Sequence, residues 1–214
     1  METKPKRRTR ERIIETSLRL FNDFGEPNVT TAFIADEMDI SPGNLYYHFH
    51  RKDEIVDAIF TVFHRELNGL LAMPGGRAHV EDFWLFVHLL FEQVWKYRFI
   101  YRDLNDLLTR NRQVEIGFKQ ILAQQVRTTV SLCEGLIQTG AMLADPGEVR
   151  TLAINMSLIT TYWLSYEYSR DPRGDHYAAR IGRGVYQAMS LIAPYLLGDS
   201  RLLLERLSEE YIDR

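Results

Sequence analysis

The apolar residues of this chain recur at helical spacing from near its start to its end. Ile14, Leu18 and Phe21 stand at positions i, i+4 and i+7, which places their side chains on one face of a helix. No stretch alternates apolar and polar residues between turn residues, as a half-buried strand does. The sequence therefore predicts an all-α fold, and its apolar content of 45% is sufficient for a sizeable core.

Capping residues, prolines and glycines mark where the helices begin and end. Ser41-Pro42 is the sharpest start signal, because serine caps a first turn and the proline after it has no N–H to leave unpaired. The first predicted helix ends at Phe24, and the second begins near Thr30 or Thr31. The later ones cover about 42–49, 53–71, 79–97, 101–109, 112–139, 146–169, 175–197 and 199–212.

The fourth predicted helix is long enough to join two domains. Residues 1–52 form a small N-terminal domain in this prediction, residues 53–72 form the linking helix, and residues 73–214 form a larger helical domain. The Pro74-Gly75-Gly76 break is interpreted as a loop rather than as the domain boundary.

A net charge of −3 conceals a strongly basic N-terminus. Only Glu11 opposes the positive side chains there, which are Lys4, Lys6, Arg7, Arg8, Arg10 and Arg12. Such a segment is either a solvated tail or an arm that attracts phosphate groups.

Several other classes of protein lack support in the sequence. The single cysteine, Cys133, excludes an intramolecular disulfide and stands in an apolar stretch typical of a small buried side chain. The charged N-terminus is unlike a secretory signal, and the longest uncharged run, 151–166, is shorter than the roughly 20 residues of a membrane span. We expect a cytoplasmic protein. No metal spacing, phosphate loop or nucleophile–base set is present, so we expect no cofactor, no metal and no enzyme activity.

The short third helix separates an inward apolar face from an outward polar face. At about 100° per residue, Leu45 and Phe49 lie within about 40° of each other and face inward. The outward face and its flank carry Gly43, Asn44, Tyr46, Tyr47 and His48. Amide, phenol and imidazole groups can hydrogen-bond base edges or phosphate oxygens. The same pattern also occurs on a solvated surface helix.

The segment 31–56, TAFIADEMDISPGNLYYHFHRKDEIV, resembles the DNA-binding signature of the TetR family of bacterial regulators. The first helix, with Phe21, Phe24 and Gly25, fits the same pattern, so the resemblance covers about residues 8–60. The matching positions within the segment are Thr31, Ile34-Ala35, Ser41-Pro42-Gly43, Leu45-Tyr46, His48-Phe49 and Lys52-Asp53.

The resemblance implies a three-helix domain with a helix-turn-helix, and DNA contacts for particular residues. Thr31 and Lys52 would bind phosphate, and Tyr46 would reach the DNA backbone. Ser41 and Pro42, at the start of the third helix, are also counted among the DNA-binding residues. The residues implied to enter the major groove are Gly43, Asn44, Tyr47 and His48. One departure is Asp39, which stands before the turn where a glycine is common in the family. Phe33 could face either the core or solvent.

The resemblance also implies that the larger domain dimerises and often binds a small effector. By this analogy, helices 146–169 and 175–197 pair with their copies in a homodimer. Gly182-Arg183-Gly184 predicts close helix contact at that interface rather than a nucleotide loop, which requires a preceding strand. The aromatic residues either pack the core or line a pocket for an apolar or amphipathic effector. The pocket candidates are Phe91, Trp95, Phe118, Tyr162 and Tyr166.

The function predicted from these features is a repressor of transcription. It would bind a pseudo-palindromic operator in double-stranded DNA and be released by a small-molecule effector. The alternatives are a transcriptional activator and a helical effector-binding protein without DNA recognition. An enzyme with an incidental basic segment has the least support.

Overall fold

The computed structural model describes residues 5–72, 76–172 and 177–212, and helices account for most of them. Within these ranges there is no strand, and one isolated antiparallel bridge joins Met142 to Leu196. The predicted all-α fold is confirmed. None of the helices in this part of the chain combines the length and apolar character needed to cross a membrane.

The helices follow one another with short connections. Short 3-10 turns occur at Glu26–Asn28 and Ala193–Tyr195. The α-helices are α1 Pro5–Phe24, α2 Thr31–Glu37, α3 Pro42–His48, α4 Lys52–Leu71, α5 Val80–Lys96, α6 Arg98–Arg102, α7 Leu104–Arg110, α8 Arg112–Gln138, α9 Pro146–Arg170, α10 Tyr177–Ser190 and α11 Gly198–Ile212.

Two predicted helices have different bounds in the structure. The predicted helix 101–109 is divided into α6 and α7 at Asp103, whose carboxylate accepts a hydrogen bond of 3.2 Å from the backbone N–H of Glu26. The predicted helix 175–197 ends at Ser190, because Pro194 has no N–H to donate to the Ser190 carbonyl. Of the predicted loop at 74–76, residues 74 and 75 lie outside the described residues.

The basic N-terminal segment is not a separate arm over its described part. From Pro5 onward it forms the first turns of α1. Arg8, Arg10 and Arg12 are exposed there, while Lys4 lies outside the described residues.

The chain packs as two compact units. The head unit comprises the chain up to Arg65 together with Tyr97–Phe118, and the body unit comprises Glu66–Lys96 together with the chain from Lys119 onward. Packing therefore groups α6 and α7 with the N-terminal helices, although the sequence-based division places them in the larger domain. The division into 1–52 and 73–214, linked by 53–72, stays a prediction.

The core of the head unit forms where α1, α2 and α3 meet. Leu45 and Phe49 are each 2% exposed, which confirms the predicted inward face of the third helix. They pack in a core that also contains Ile13, Leu20, Phe21, Ile34 and Ala35, all of them buried. Phe33 is half-buried, with its ring centre 5.6 Å from that of Phe24.

Helix α6 holds the end of α1 in the head unit. The guanidinium of Arg102 donates hydrogen bonds to the carbonyls of Phe21 at 2.6 Å and Asn22 at 3.3 Å. In return, the Asn22 side-chain oxygen accepts a hydrogen bond of 3.1 Å from the backbone N–H of Phe99. The last carbonyls of a helix have no partner within it, so these contacts attach α6 firmly to α1.

In the body unit, α10 packs against α5, α9 and α11. A Cβ atom at Gly184 would lie 2.4 Å from the Phe91 ring and 2.7 Å from Nε1 of Trp163. Gly182 similarly faces Tyr211 of α11. The close contact predicted for these glycines therefore occurs inside one chain, which corrects their assignment to the dimer interface.

A buried carboxylate also joins α9 to α10. Glu167 is 1% exposed and forms ion pairs with Arg183 and, at 3.1 Å, with Arg170. Burial raises the pKa of Glu167, but the hydrogen bonds from the two arginines outweigh that effect and hold the pKa below its ordinary value. Glu167 is therefore a charged structural link in the body unit.

The turn between α2 and α3 requires one left-handed residue. Asp39 has a φ of 53° and is the one non-glycine residue in the described chain with a positive φ. Aspartate adopts this conformation more readily than most residues with a Cβ atom. The backbone N–H of Ile40 can then donate to the Ala35 carbonyl at 3.0 Å. The tight turn is thus preserved without the glycine common in the family.

We expect Asp39→Gly to be more stable than Asp39→Ala by about 1 kcal/mol, because a Cβ atom strains the left-handed conformation. Urea denaturation measures the difference. Asp36, an exposed residue of α2, is the matched control. There the alanine variant should be more stable than the glycine variant by a similar amount, because alanine favours a helix. The same order of stability at both positions would contradict a strained turn.

Candidate nucleic-acid interface

Helix α3 begins where the sequence predicts. Ser41 precedes it in an extended conformation, and its hydroxyl accepts a hydrogen bond of 3.2 Å from the backbone N–H of Asn44. Pro42 follows as the first helical residue. In α2 the capping residue is Thr30, whose hydroxyl accepts from the N–H of Phe33 at 3.1 Å, so Thr31 is the first helical residue and not the cap.

The predicted outward face of α3 is exposed in the structure. Tyr46 is 60% exposed and Tyr47 is 63% exposed, while Gly43 and Asn44 are also exposed and His48 is half-buried. Two neighbouring tyrosines that present most of their surface to solvent are unusual, since such residues contribute most when they are covered. This face is therefore suited to a partner.

Histidines support both tyrosine rings. The ring centres of Tyr46 and His50 lie 4.7 Å apart, and those of Tyr47 and His48 lie 5.3 Å apart, both in edge-on arrangements. Such edge-on pairs are favourable. Each exposed tyrosine ring thus has an imidazole as its neighbour within the head unit.

A concave surface lies where α2 and α3 meet. Its lining combines an apolar floor with hydroxyl and imidazole groups, and consists of Thr31, Ala32, Pro42, Gly43, Leu45, Tyr46, Phe49 and His50. The sequence interpretation did not include Ala32 or His50. The spacing of His50, four residues after Tyr46, was the signal that could have indicated it, although the helix ends at His48.

Positive charge lies close to α3. The guanidinium carbon of Arg10 is 4.8 Å from the centre of the Phe49 ring, a favourable cation–π contact. This contact attaches the basic first turns of α1 to the end of α3. The head unit therefore places one cationic side chain, that of Arg10, beside the residue that follows α3.

Lys52 has internal partners that the sequence interpretation missed. Its ammonium is 3.0 Å from a carboxylate oxygen of Glu26 and donates a hydrogen bond of 2.8 Å to the Glu26 carbonyl. Glu26 is 1% exposed, whereas Lys52 is 27% exposed. A single glutamate after a glycine carries no sequence signal of burial, so only the folded chain indicates this pair.

Arg110 completes a cluster of charges around Glu26. It forms an ion pair with Glu26, and its other nitrogens lie 2.7 Å from Asp53 and 2.7 Å from Asp106. Burial lowers the pKa of Arg110, but the three carboxylates outweigh burial and raise it. We refer to these residues, Glu26, Lys52, Asp53, Asp106 and Arg110, as the Glu26 cluster.

The predicted effector residues lie in different settings. Phe118 is buried in the head unit, 5.9 Å from Tyr101 between ring centres, and Phe91 is buried in the body unit against Gly184. Trp95 is half-buried. Tyr162 and Tyr166 line an open groove with Leu158, Ile159, Trp163 and Gln187. The structure thus unites only these two of the five in one concave surface.

The inward face of α8 carries polar side chains that the sequence interpretation did not include. Gln125 and Thr129, one turn apart, are 3% and 0% exposed, and the amide nitrogen and the hydroxyl have no hydrogen-bond partner among the described residues. Their neighbours on this face include Ile121 and Leu132, both buried. Cys133 is also buried, and burial raises the pKa of its thiol to about 12, so it is an unreactive core residue.

The head unit carries two short helices joined by a tight turn, with the second helix presenting polar groups outward. This arrangement is that of a helix-turn-helix, a motif whose second helix enters the major groove of DNA. Fold and site therefore define the class of helix-turn-helix transcriptional regulators.

Comparison with protein families identifies the family. A model of the N-terminal part of bacterial regulatory proteins of the tetR family matches residues 13–59. A second model, described as a TetR bacterial transcriptional repressor, matches residues 62–204. The chain belongs to the TetR family of transcriptional regulators, whose members bind operator DNA, dimerise and are typically repressors.

Individual relatives agree with this assignment. A TetR-family transcriptional regulator from Marinobacter aquaeolei VT8 is 31% identical, with a TM-score of 0.85 and 99% of each chain covered. The class C tetracycline repressor protein of Escherichia coli is 38% identical over 50 residues, which span 23% of its length and 23% of this chain. A regulator from Saccharomonospora viridis, solved in complex with choline, has the same fold, with a TM-score of 0.68, 17% identity and coverage of 90% of this chain and 99% of that one.

Gly43 offers a test that separates DNA contact from folding. A Cβ atom there would meet only the Ser41 hydroxyl, at 4.0 Å, so Gly43→Ala should fold normally, with a free energy of unfolding unchanged or up to about 1 kcal/mol higher. If the backbone approaches DNA at this position, operator affinity should fall about tenfold or more, which is about 1.4 kcal/mol. Fluorescence anisotropy with labelled DNA measures the affinity.

Gly69 is the matched control for this substitution. It is exposed on α4, and a Cβ atom there would meet nothing within 4 Å. Gly69→Ala should therefore retain both the fold and the operator affinity. Equal affinities for both variants and the unchanged protein would show that the Gly43 backbone does not approach DNA.

Proposed function

We propose that this protein is a dimeric repressor that binds a pseudo-palindromic operator through α3 and is released by a small-molecule effector. The observation that carries the proposal is the outward face of α3, where two mostly exposed tyrosines stand between two inward anchors, Leu45 and Phe49, that are each 2% exposed. An activator would use the same DNA contacts, so the sign of regulation depends on where the operator lies. We also propose a cytoplasmic location, where operator DNA is accessible.

Within this proposal, the side chains of α3 divide by chemistry into two groups. Asn44, Tyr47 and His48 carry hydrogen-bonding groups suited to base edges in the major groove. Tyr46, on the flank beside Thr31 and the concave surface, is suited to the sugar–phosphate backbone. Gly43 permits close approach of the helix, and Lys52 supplies a cation for phosphate.

The support for dimerisation is an apolar stripe on α9. Ile154, Leu158, Tyr162 and Tyr166 are spaced four residues apart and are between 43% and 58% exposed. A contiguous apolar stripe of this kind marks an interaction surface. We propose that it packs against the same helix of a second copy, together with α10, whose Gln187 lines the adjoining groove.

A dimer is required because one short helix contacts few bases. A symmetric pair of copies doubles the contacts and calls for two half-sites related by a two-fold axis. The half-sites would lie about one helical turn apart, or slightly more. The pseudo-palindromic operator follows from this symmetry.

We place the effector at the polar pair on the inward face of α8. A buried donor without a partner costs about 1–3 kcal/mol, and a core residue with no other role is expected to be apolar. An effector could accept a hydrogen bond from the Gln125 amide and pack its apolar part against the surrounding side chains. Its binding would then remove the free-energy cost of the unpaired donor. A coupling of about 1–3 kcal/mol to DNA binding would change operator affinity by about 5–150-fold.

The DNA and dimer proposals share one experiment, a selection of duplexes from a random-sequence pool. The unchanged protein should select an inverted repeat. Leu158→Glu should be monomeric by sedimentation velocity, because a charge is costly in an apolar interface, and should select at most a single half-site. Leu202, which is exposed to the same extent, 53%, on α11, is the matched control, and Leu202→Glu should stay dimeric.

The absence of any enriched sequence with the unchanged protein would refute DNA recognition. A Leu158→Glu variant that remains dimeric and still selects an inverted repeat would refute the proposed interface alone.

The effector proposal predicts that Thr129→Val raises the free energy of unfolding by about 1 kcal/mol, because the hydroxyl is buried without a partner. Thr128 is the control. Its hydroxyl donates at 2.7 Å to the Leu71 carbonyl, so Thr128→Val should lower stability by about the same amount. Urea denaturation measures both variants.

A thermal-shift screen with small carbonyl compounds then compares Thr129→Val and Gln125→Leu with the unchanged protein. Compounds that stabilise only the unchanged protein support the site. Equal loss of stability from Thr129→Val and Thr128→Val would remove the reason for placing an effector there.

A further inference from the structure

Glu26 has two cationic partners, one on each carboxylate oxygen. One oxygen is 3.0 Å from the Lys52 ammonium, and the other pairs with the Arg110 guanidinium. The carboxylate is 1% exposed, while Lys52 and Arg110 are 27% and 30% exposed. The two cations are thus far more accessible to an external anion than the carboxylate between them.

A buried carboxylate cannot be left without a cation at low cost. Removing the partner from a buried ion pair typically costs about 3–5 kcal/mol, because an uncompensated charge remains in the interior. If Lys52 were the only partner of Glu26, its ammonium would be held there and would bind DNA phosphate weakly.

Arg110 removes this restriction. It pairs with Glu26 through one nitrogen and is itself held by Asp53 and Asp106, each at 2.7 Å. Because Arg110 stays in place, Glu26 keeps a cation when the lysine moves. Besides this ion pair, the Lys52 ammonium donates one hydrogen bond, of 2.8 Å, to the Glu26 carbonyl. A phosphate oxygen can replace the carbonyl as the acceptor of that hydrogen bond.

We propose that Arg110 is a positioning residue for DNA binding, which neutralises Glu26 and so releases the Lys52 ammonium to a DNA phosphate. The inference rests on the phosphate contact of Lys52 in the proposed function. Arg110 is the last residue of α7, so the position of that helix would set how strongly Glu26 holds the lysine. DNA affinity would thereby depend on a residue that does not touch DNA.

The test measures operator affinity against salt concentration for Arg110→Met. Loss of one phosphate contact in each subunit of the proposed dimer should reduce the slope of log affinity against log salt by about 1.8, which is about 60-fold in affinity at 0.1 M salt. Adding Glu26→Gln to Arg110→Met should restore the slope, because a neutral amide no longer holds the lysine. Restoration is the decisive readout, since a variant that is merely misfolded would not recover.

Two further variants complete the comparison. Arg112, two residues along the chain, is 76% exposed and pairs with Glu115, so Arg112→Met removes a charge without affecting Glu26 and should leave the slope unchanged. Lys52→Met removes the phosphate contact directly and should lower the slope as far as Arg110→Met does. Circular dichroism at the same temperature confirms that each variant is folded.

The outcomes distinguish the two levels of the proposal. An unchanged slope in Lys52→Met overturns the phosphate contact and the inference that rests on it. A lowered slope in Lys52→Met with an unchanged slope in Arg110→Met overturns the inference alone. A slope that falls in Arg110→Met and is not restored by Glu26→Gln also overturns it, because the loss would then be structural.

Discussion

The anchoring of α3 by two apolar side chains is the interaction on which the function of the head unit depends. A helix of seven residues is too short to be stable in water by itself, so its position must come from tertiary packing. Leu45 and Phe49 supply that packing from one side of the helix. The other side chains of α3 are exposed except for His48, which is half-buried, and the exposed tyrosines follow from the burial of these two residues.

Each unit also contains a buried glutamate held between two cations. Glu167 lies between Arg170 and Arg183 in the body unit, and Glu26 lies between Lys52 and Arg110 in the head unit. Buried ion pairs contribute little net stability compared with apolar residues of similar size. Their value here is positional, because Glu167 joins α9 to Arg183 of α10, and Glu26 joins α4 to α7 through Lys52 and Arg110.

The environments of the two glutamates differ in a way that bears on regulation. Both partners of Glu167 come from α9 and α10, so this cluster joins two helices of the body unit. The partners of Glu26 come from the start of α4 and the end of α7, and one of them is the proposed phosphate ligand. The same arrangement of charges thus joins two helices in the body unit and, in the head unit, includes the lysine that we propose as a phosphate ligand.

The sequence by itself determined the helices and the faces of α3. Apolar spacing, the Ser41-Pro42 start and the family signature are local signals, because each involves residues within a few turns of one another. Three other features depend on the tertiary structure, because these local signals do not contain them. It grouped α6 and α7 with the head unit, placed Gly184 against Phe91 inside one chain, and paired Glu26 with Arg110, which is 84 residues away. Pairing between distant side chains leaves no periodic pattern in the sequence, since it depends on where the packed helices bring their surfaces together.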